Sequence, residues 1–237
     1  MRAGPRFPRG QVVGPKRSFL VGFAARIHGL LAQLQRLYLR RKLGPPVIVV
    51  SGLPRSGTSM MVGILGAAGL EIGTDRQRSA DEDNPRGYFE LERIKDLDRA
   101  PDKAWLREYK GKVVKIISFL LKDLPDDLYY QTIFMCRDLG EVVASQNKML
   151  VRRGEAAGSD ADDERAIGLY RQHLRKVELL LAERANFARL DVDHRAVLAD
   201  PRTEARRVGR FLGRALDVEK MAAAVDERLY RNRAKGA

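Results

Sequence analysis

Val47-Ile48-Val49-Val50-Ser51 carries no charge, is β-branched and apolar at its first four positions, and runs straight into Gly52-Leu53-Pro54-Arg55-Ser56-Gly57-Thr58-Ser59. A run so short and so uniformly apolar reads as a strand buried on both faces, the environment of a parallel sheet. The residues after the loop set Met61, Ile64, Leu65 and Ala68 on one helical face. Strand, glycine-rich loop and helix in that order leave backbone N–H groups and a helix N-terminus pointing at one spot, where a phosphate can be cradled.

The rest of the chain repeats the alternation. Val113–Ser118, Thr132–Cys136 and Phe187–Val192 read as further strands. Helices are expected over about Leu91–Ala100, Gly140–Val151, Ala161–Ala185, Arg202–Gly213 and Val218–Tyr230. In the longest of these, Ile167, Tyr170, Leu174, Val177 and Leu181 keep a helical register. The expected fold is therefore a single-domain, P-loop-like α/β fold, with a central, mainly parallel sheet of four or five strands flanked by helices on both faces. At 237 residues the chain suits one such domain, placed at 46–237 behind an extension at 1–45. Residues 152–164 read as a surface loop.

The loop matches the nucleotide-binding spacing G-x-x-x-x-G-K-[ST] except that Thr58 stands in place of the lysine. That lysine neutralises the β- and γ-phosphates of a nucleoside triphosphate, so its loss argues against ATP or GTP chemistry. A cation sits inside the loop instead, at Arg55, with hydroxyls at Ser56, Thr58 and Ser59. Downstream, Cys136-Arg137-Asp138-Leu139-Gly140-Glu141-Val142-Val143-Ala144-Ser145 places an arginine at a strand end and a serine eight residues on, two turns into a helix. A guanidinium fork there suits a phosphate dianion.

Taken together these segments resemble the sulfotransferases that use 3′-phosphoadenosine 5′-phosphosulfate (PAPS), in their bacterial-type branch. Pro54–Ser59 is similar to that family's 5′-phosphosulfate loop, and Arg137 with Ser145 to its 3′-phosphate motif. Asn84-Pro85-Arg86-Gly87-Tyr88-Phe89-Glu90 resembles its N-P-x-G-Y-[FW]-E segment. Leu198-Ala199-Asp200-Pro201, with Phe211-Leu212-Gly213, resembles its C-terminal strand–turn–helix. The resemblance spans about Val47 to Gly213. It implies PAPS as donor co-substrate, no metal, and donor contacts from Arg55, Ser56, Gly57, Thr58, Ser59, Arg137 and Ser145. The sulfuryl group would pass to a hydroxyl or amine of an acceptor that the sequence does not identify.

Two departures shape the catalytic assignment. His194-Arg195-Ala196 occupies the place of a Tyr-Glu-Asp segment, read here as a change in a supporting element. Ile117 stands where the cytosolic small-molecule branch has a catalytic histidine shortly after a lysine, here Lys115. His28, His173 and His194 lie elsewhere and read as surface or packing residues. A carboxylate is then the natural base. Glu90 is the candidate, fixed by Pro85, Gly87, Tyr88 and Phe89, whereas Asp81, Glu82 and Asp83 read as a solvated turn. Pairing of Glu90 with Arg93 on the next helix is the purely structural alternative. Lys115 and Arg55 are the candidate cations at the transferred group. Two other functions stay open: a P-loop kinase of a small metabolite, holding Mg²⁺ through Asp138, and a non-catalytic nucleotide-binding relative.

Charge adds less than it first suggests. The net charge is +13, but ten of the 44 basic residues fall in residues 1–42, where no acid occurs. The remainder holds 34 basic against 31 acidic residues, so a nucleic-acid-binding core is not expected. Apolar residues from about Ser18 to Leu43 recur at helical spacing (Phe23, Ile27, Leu30, Leu34, Leu37), with Arg26, Arg36, Arg40, Arg41 and Lys42 around them. Gly44-Pro45-Pro46 ends the pattern. Packing on the domain is the plainer reading of this helix. Weak peripheral contact of residues 18–42 with an anionic membrane is the sharper one. A single cysteine, Cys136, and no apolar run near the roughly 20 residues of a bilayer span lead to an expected cytoplasmic location.

Overall fold

The computed structural model describes residues 34, 35, 37–75 and 89–225. Its centre is a four-stranded sheet: β1 (Val47–Gly52), β2 (Val113–Lys115), β3 (Tyr130–Cys136) and β4 (Phe187–Asp193), in the order β2-β1-β3-β4. All three pairings are parallel. Seven α-helices among the described residues from β1 onward connect or cover the strands: α1 (Thr58–Ala67), α2 (Glu92–Lys95), α3 (Leu139–Arg152), α4 (Asp160–Glu183), α5 (His194–Ala199), α6 (Pro201–Leu212) and α7 (Val218–Ala223). Short 3₁₀ turns occupy Ala104–Tyr109 and Ser118–Asp123. The expected α/β architecture is the one observed.

Alternation along β1 explains the two cores. Val47 and Val49 pack with Tyr130 and Phe134 of β3 and with Val177 and Leu181 of α4. Ile48 and Val50 pack on the opposite face with Met61, Ile64 and Leu65 of α1 and Val208 and Leu212 of α6. Every residue of β1 is buried, as a central strand covered on both faces requires.

Strand lengths follow from the number of partners. β3 has a neighbour on each side and begins two residues earlier than the sequence pattern suggested, with Tyr130 paired to both Val47 and Phe187. β2 pairs only with β1 and stops at Lys115 rather than Ser118, because Ser118 already starts a 3₁₀ turn. The helix expected over Leu91–Ala100 shortens to Glu92–Lys95 and continues as turns ahead of Pro101. α7 is helical to Ala223, and the rest of the segment expected to reach Tyr230 lies outside the described residues after Val225. Residues 34, 35 and 37–43 are helical; residues 18–33 and Arg36, expected in that helix, also lie outside.

The strand order places the site. From β1 the chain moves outward on one side to β2, then returns across β1 to β3 on the other. This reversal opens a crevice beyond the C-terminal ends of β1 and β3, where α/β sheets bind ligands. The loop after β1 and Arg137 after β3 both belong to that crevice.

Candidate nucleotide site

Gly52 at the end of β1 pairs in register with Met135, so the loop and Arg137 leave the sheet side by side. The loop backbone is unusual in three places: Gly52 (φ 148), Arg55 (φ 71) and Gly57 (φ 98). Arg55 is the informative one, since a side-chain-bearing residue in the left-handed region costs on the order of 1 kcal/mol or more and needs support. Arg137 supplies it: Arg137 Nη1 donates to the Arg55 carbonyl at 3.0 Å. Arg55 Nε in turn donates to Ser145 Oγ at 3.0 Å. The two motifs are thus in direct contact.

Arg137 is itself anchored. Its Nε donates to Glu141 Oε2 at 2.9 Å, one turn into α3; Glu141 is buried and Arg137 half-buried. Arg195 reaches the other oxygen of the same carboxylate, Nη2 to Oε1 at 2.7 Å. Two guanidinium groups share one carboxylate, and Arg55 brings a third to the same junction. Asp138 caps α3 by accepting from Glu141 N at 3.0 Å.

The loop side of the crevice fits an anion. Gly57 caps α1 without a side chain, and no acidic residue lies in that helix's first turn. Ser56 is 2% exposed, and its Oγ has no hydrogen-bond partner among the described residues. A buried hydroxyl in that state costs about 1–3 kcal/mol, a cost that a phosphate oxygen would remove. Thr58 and Ser145 are buried, and Ser59 is half-buried. The donor set, made of hydroxyls, backbone N–H groups and guanidinium forks, suits a phosphorylated nucleotide.

On the other side of β1, Lys115 Nζ lies 3.1 Å from Ser59 Oγ and 3.0 Å from Glu90 Oε1. Glu90 therefore comes to the loop, and its ion pair is with Lys115; Arg93 instead lies over the Trp105 ring at 4.6 Å. Phe89, immediately before Glu90, has φ 49, a second strained residue at the site. Glu90 O accepts from Thr74 Oγ1 and Asp75 N, which fixes the chain entering the site. Asp81, Glu82, Asp83 and the 84–88 part of the Asn84–Glu90 segment lie outside the described residues.

Residues 194 and 195 play a part that the sequence reading did not give them. β4 runs in register with β3, with Asp193 beside Cys136, so His194 and Arg195 leave the sheet level with Arg137. His194 is 6% exposed, and a Cβ added to Gly57 would come within 2.6 Å of its Cδ2. It is a packing residue, as expected, and what it packs against is the loop after β1. Burial, with Arg137 adding to it, lowers its pKa to about 4, so the ring is neutral near pH 7. The available signal was positional: a His-Arg pair at the C-terminal end of an apolar strand points to the same edge as the loops. His173 lies 2.9 Å from Ser118 Oγ and stacks on Phe119, while His28 is outside the described residues.

No family model and no curated protein matches the sequence. Among solved structures, the chain is similar to the sulfotransferase domain of the Synechococcus PCC 7002 olefin synthase. The identity is 18%, over 78% of this chain and 79% of that one, with a TM-score of 0.46. It is also similar to a sulfotransferase from Alicyclobacillus acidocaldarius, at 14% identity over 80% of this chain and 97% of that one, with a TM-score of 0.43. A mouse sulfotransferase complexed with PAP matches at 14% identity over 81% of this chain and 67% of that one, with a TM-score of 0.44. Identities and TM-scores this low do not lend those proteins' activities to this chain, whose own residues have to carry the assignment.

Proposed function

We propose that the chain transfers the sulfuryl group of PAPS to a hydroxyl or amine. The observation that carries this reading is the junction of Arg55, Arg137 and Ser145. A loop suited to a 5′-phosphate touches an arginine–serine pair suited to a second phosphate on the same nucleotide, and the loop lacks the lysine that triphosphate chemistry needs.

In this reading Ser56, Thr58 and the first N–H groups of α1 hold the 5′-phosphate, and Arg137 with Ser145 holds the 3′-phosphate. Bound PAPS supplies an activated sulfuryl group on a 5′-phosphate oxygen. Glu90 takes the proton from the acceptor as the acceptor's oxygen or nitrogen forms its bond to sulfur. The bond from sulfur to the phosphate oxygen breaks, and Lys115 and Arg55 meet the charge left on that oxygen. The Lys115–Glu90 contact supports this division of roles, since one ammonium can orient the base and face the leaving group.

The kinase reading is less well supported. Asp138, the carboxylate it would assign to Mg²⁺, is engaged in capping α3 beside Arg137. Calorimetry with PAP, AMP and ADP, followed by labelled-sulfate transfer to metabolite extracts in EDTA, tests the proposal. PAP binding well above AMP, with transfer in EDTA, is expected; equal affinities for PAP and AMP would sink it. PAP binding without transfer to any acceptor would favour the non-catalytic alternative.

A further inference from the structure

We infer that a second face of the molecule, formed by helix 37–43 and α6, docks on an anionic lipid surface. Three observations meet there. First, Leu34, Leu37 and Tyr38 share one helical face with Arg41 and are 54%, 58% and 62% exposed. Three large apolar side chains on one stripe in water are costly, and a cation at the end of the stripe is the interfacial pattern. Second, Arg40, Arg41 and Lys42 are all exposed. Third, this helix joins another basic surface. Arg40 Nη1 would lie 4.0 Å from a Cβ on Gly213, the residue that caps α6.

From that junction the positive charge continues along α6. Arg206 and Arg210 stand four residues apart on one helical face, and with Arg214, Leu216 and Val218 they line an open groove of about 590 Å³. Of the nearby acids, Glu204 is paired with Arg207, Asp217 with Lys220 and Glu219 with Arg202, while Asp200 and Glu219 also feel the charge of Arg206.

The placement leaves the nucleotide loop clear. Lys110 Nζ donates to Leu43 O at 2.6 Å, and Arg214 Nη2 to Gly111 O at 3.1 Å, so helix 37–43 and the end of α6 gather at the N-terminal end of β1 and β2. The loop lies past the other end of β1, six residues and roughly 20 Å away. Among the described residues no helix is long and apolar enough to cross a membrane, and the proposed contact is peripheral. The apolar stripe favours a lipid surface over a nucleic acid, which would use the cations and leave Leu34 and Leu37 in water. This inference stands apart from the donor assignment and can fail without it.

Co-sedimentation of the full chain with vesicles tests it. Binding is expected to phosphatidylcholine vesicles containing phosphatidylserine, to be much weaker without the anionic lipid, and to persist in part at high salt through the apolar stripe. Arg206→Gln with Arg210→Gln is expected to weaken binding about fivefold for each charge removed. Leu37→Ser with Tyr38→Ser is expected to remove the salt-resistant part. Thermal melting by circular dichroism checks that each variant folds, and the lipid and salt dependence of the unaltered chain needs no variant. Several results would overturn the inference: equal or no binding to the two vesicle types, full binding by both variants, or retention on single-stranded RNA with vesicles ignored. A dimer that Leu37→Ser dissociates would assign the stripe to a second copy of the chain and overturn it as well.

Discussion

Arg55 Nε and Ser145 Oγ are 3.0 Å apart although 90 residues separate them in the chain. The contact joins the loop after β1 to the second turn of α3, and Arg137 closes the junction from below by donating to the Arg55 carbonyl. A left-handed Arg55 is held where its guanidinium faces the crevice, and the residue that holds it is the one assigned to the 3′-phosphate. On the proposed reading, binding at one phosphate position would be tied to the geometry of the other.

Arg137→Ala is therefore expected to do two things. If Arg137 holds the 3′-phosphate as proposed, the change removes a charge-assisted contact, which typically costs about 1.5–3 kcal/mol, and so erases most of the preference for PAP over AMP. It also takes one of its guanidinium partners from the buried Glu141, which keeps Arg195, so some loss of stability accompanies it. Calorimetric titration of both nucleotides, with denaturant unfolding alongside, separates the two effects. An undiminished PAP-to-AMP ratio in the variant would remove Arg137 from the site.

Gly57→Ala is expected to destabilise the loop. The backbone there has φ 98, and the added methyl would sit 2.6 Å from His194 Cδ2. Strain of this kind costs on the order of 1–3 kcal/mol. If the imidazole is the obstacle, the loss in Gly57→Ala should be smaller in a His194→Ala background, and a double-mutant cycle measures the difference. Strictly additive losses would mean that backbone strain alone is responsible.

The fold was legible because β1 is apolar at every core position and the other strands are separated by helical periodicity. The loop was legible because its residue types have few uses at the end of a buried strand. Glu90's return toward the loop after β1 could be guessed from its segment, but its ion pair with Lys115 could not, since Arg93 was the nearer cation in sequence. For His194 and Arg195 the sequence offered only position, a His-Arg pair at the C-terminal end of an apolar strand, and not their contacts with the loop and Glu141. Those contacts depend on β4 pairing with β3 in a register that ends both strands level, a long-range fact absent from local pattern. The composite basic face has the same origin, because helix 37–43 and α6 meet only in three dimensions.

Acid should weaken the fold partly through His194. Its folded-state pKa is about 4, below the ordinary 6.5, because burial and Arg137 oppose the charged ring. Between those values the unfolded chain binds the proton and the folded chain does not. The contribution is thus complete above pH 6.5 and is lost as pH falls toward 4, on the order of 3 kcal/mol in all. His194→Gln is expected to show a shallower loss of stability than the unaltered protein across that interval, measured by urea unfolding at a series of pH values. Parallel curves would exclude His194 as the titrating group.

Cys136 is expected to be a poor nucleophile despite being a free thiol beside Arg137. Burial at the end of β3 pushes its pKa up to about 11, with Asp191 adding to the effect. The thiolate fraction at neutral pH is then very small. Alkylation by iodoacetamide should be slow in the folded protein and fast in urea. Rapid labelling of the native chain would contradict this environment.

Glu90→Gln tests the proposed base most directly. Gln keeps a carbonyl oxygen where Glu90 Oε1 now accepts from Lys115 at 3.0 Å, so Lys115 stays oriented toward Ser59 and the donor pocket keeps its shape. What it loses is the ability to take a proton from the acceptor. Turnover is expected to fall by roughly 10²–10⁴ while PAP affinity is unchanged. Lys115→Met serves as the complement: it removes the cation proposed to face the leaving phosphate oxygen and leaves the largely buried Glu90 without that ion-pair partner. Both donor binding and turnover should suffer in that variant. A Glu90→Gln enzyme that transfers sulfate at nearly the normal rate would place the base elsewhere and leave Glu90 as the structural partner of Lys115.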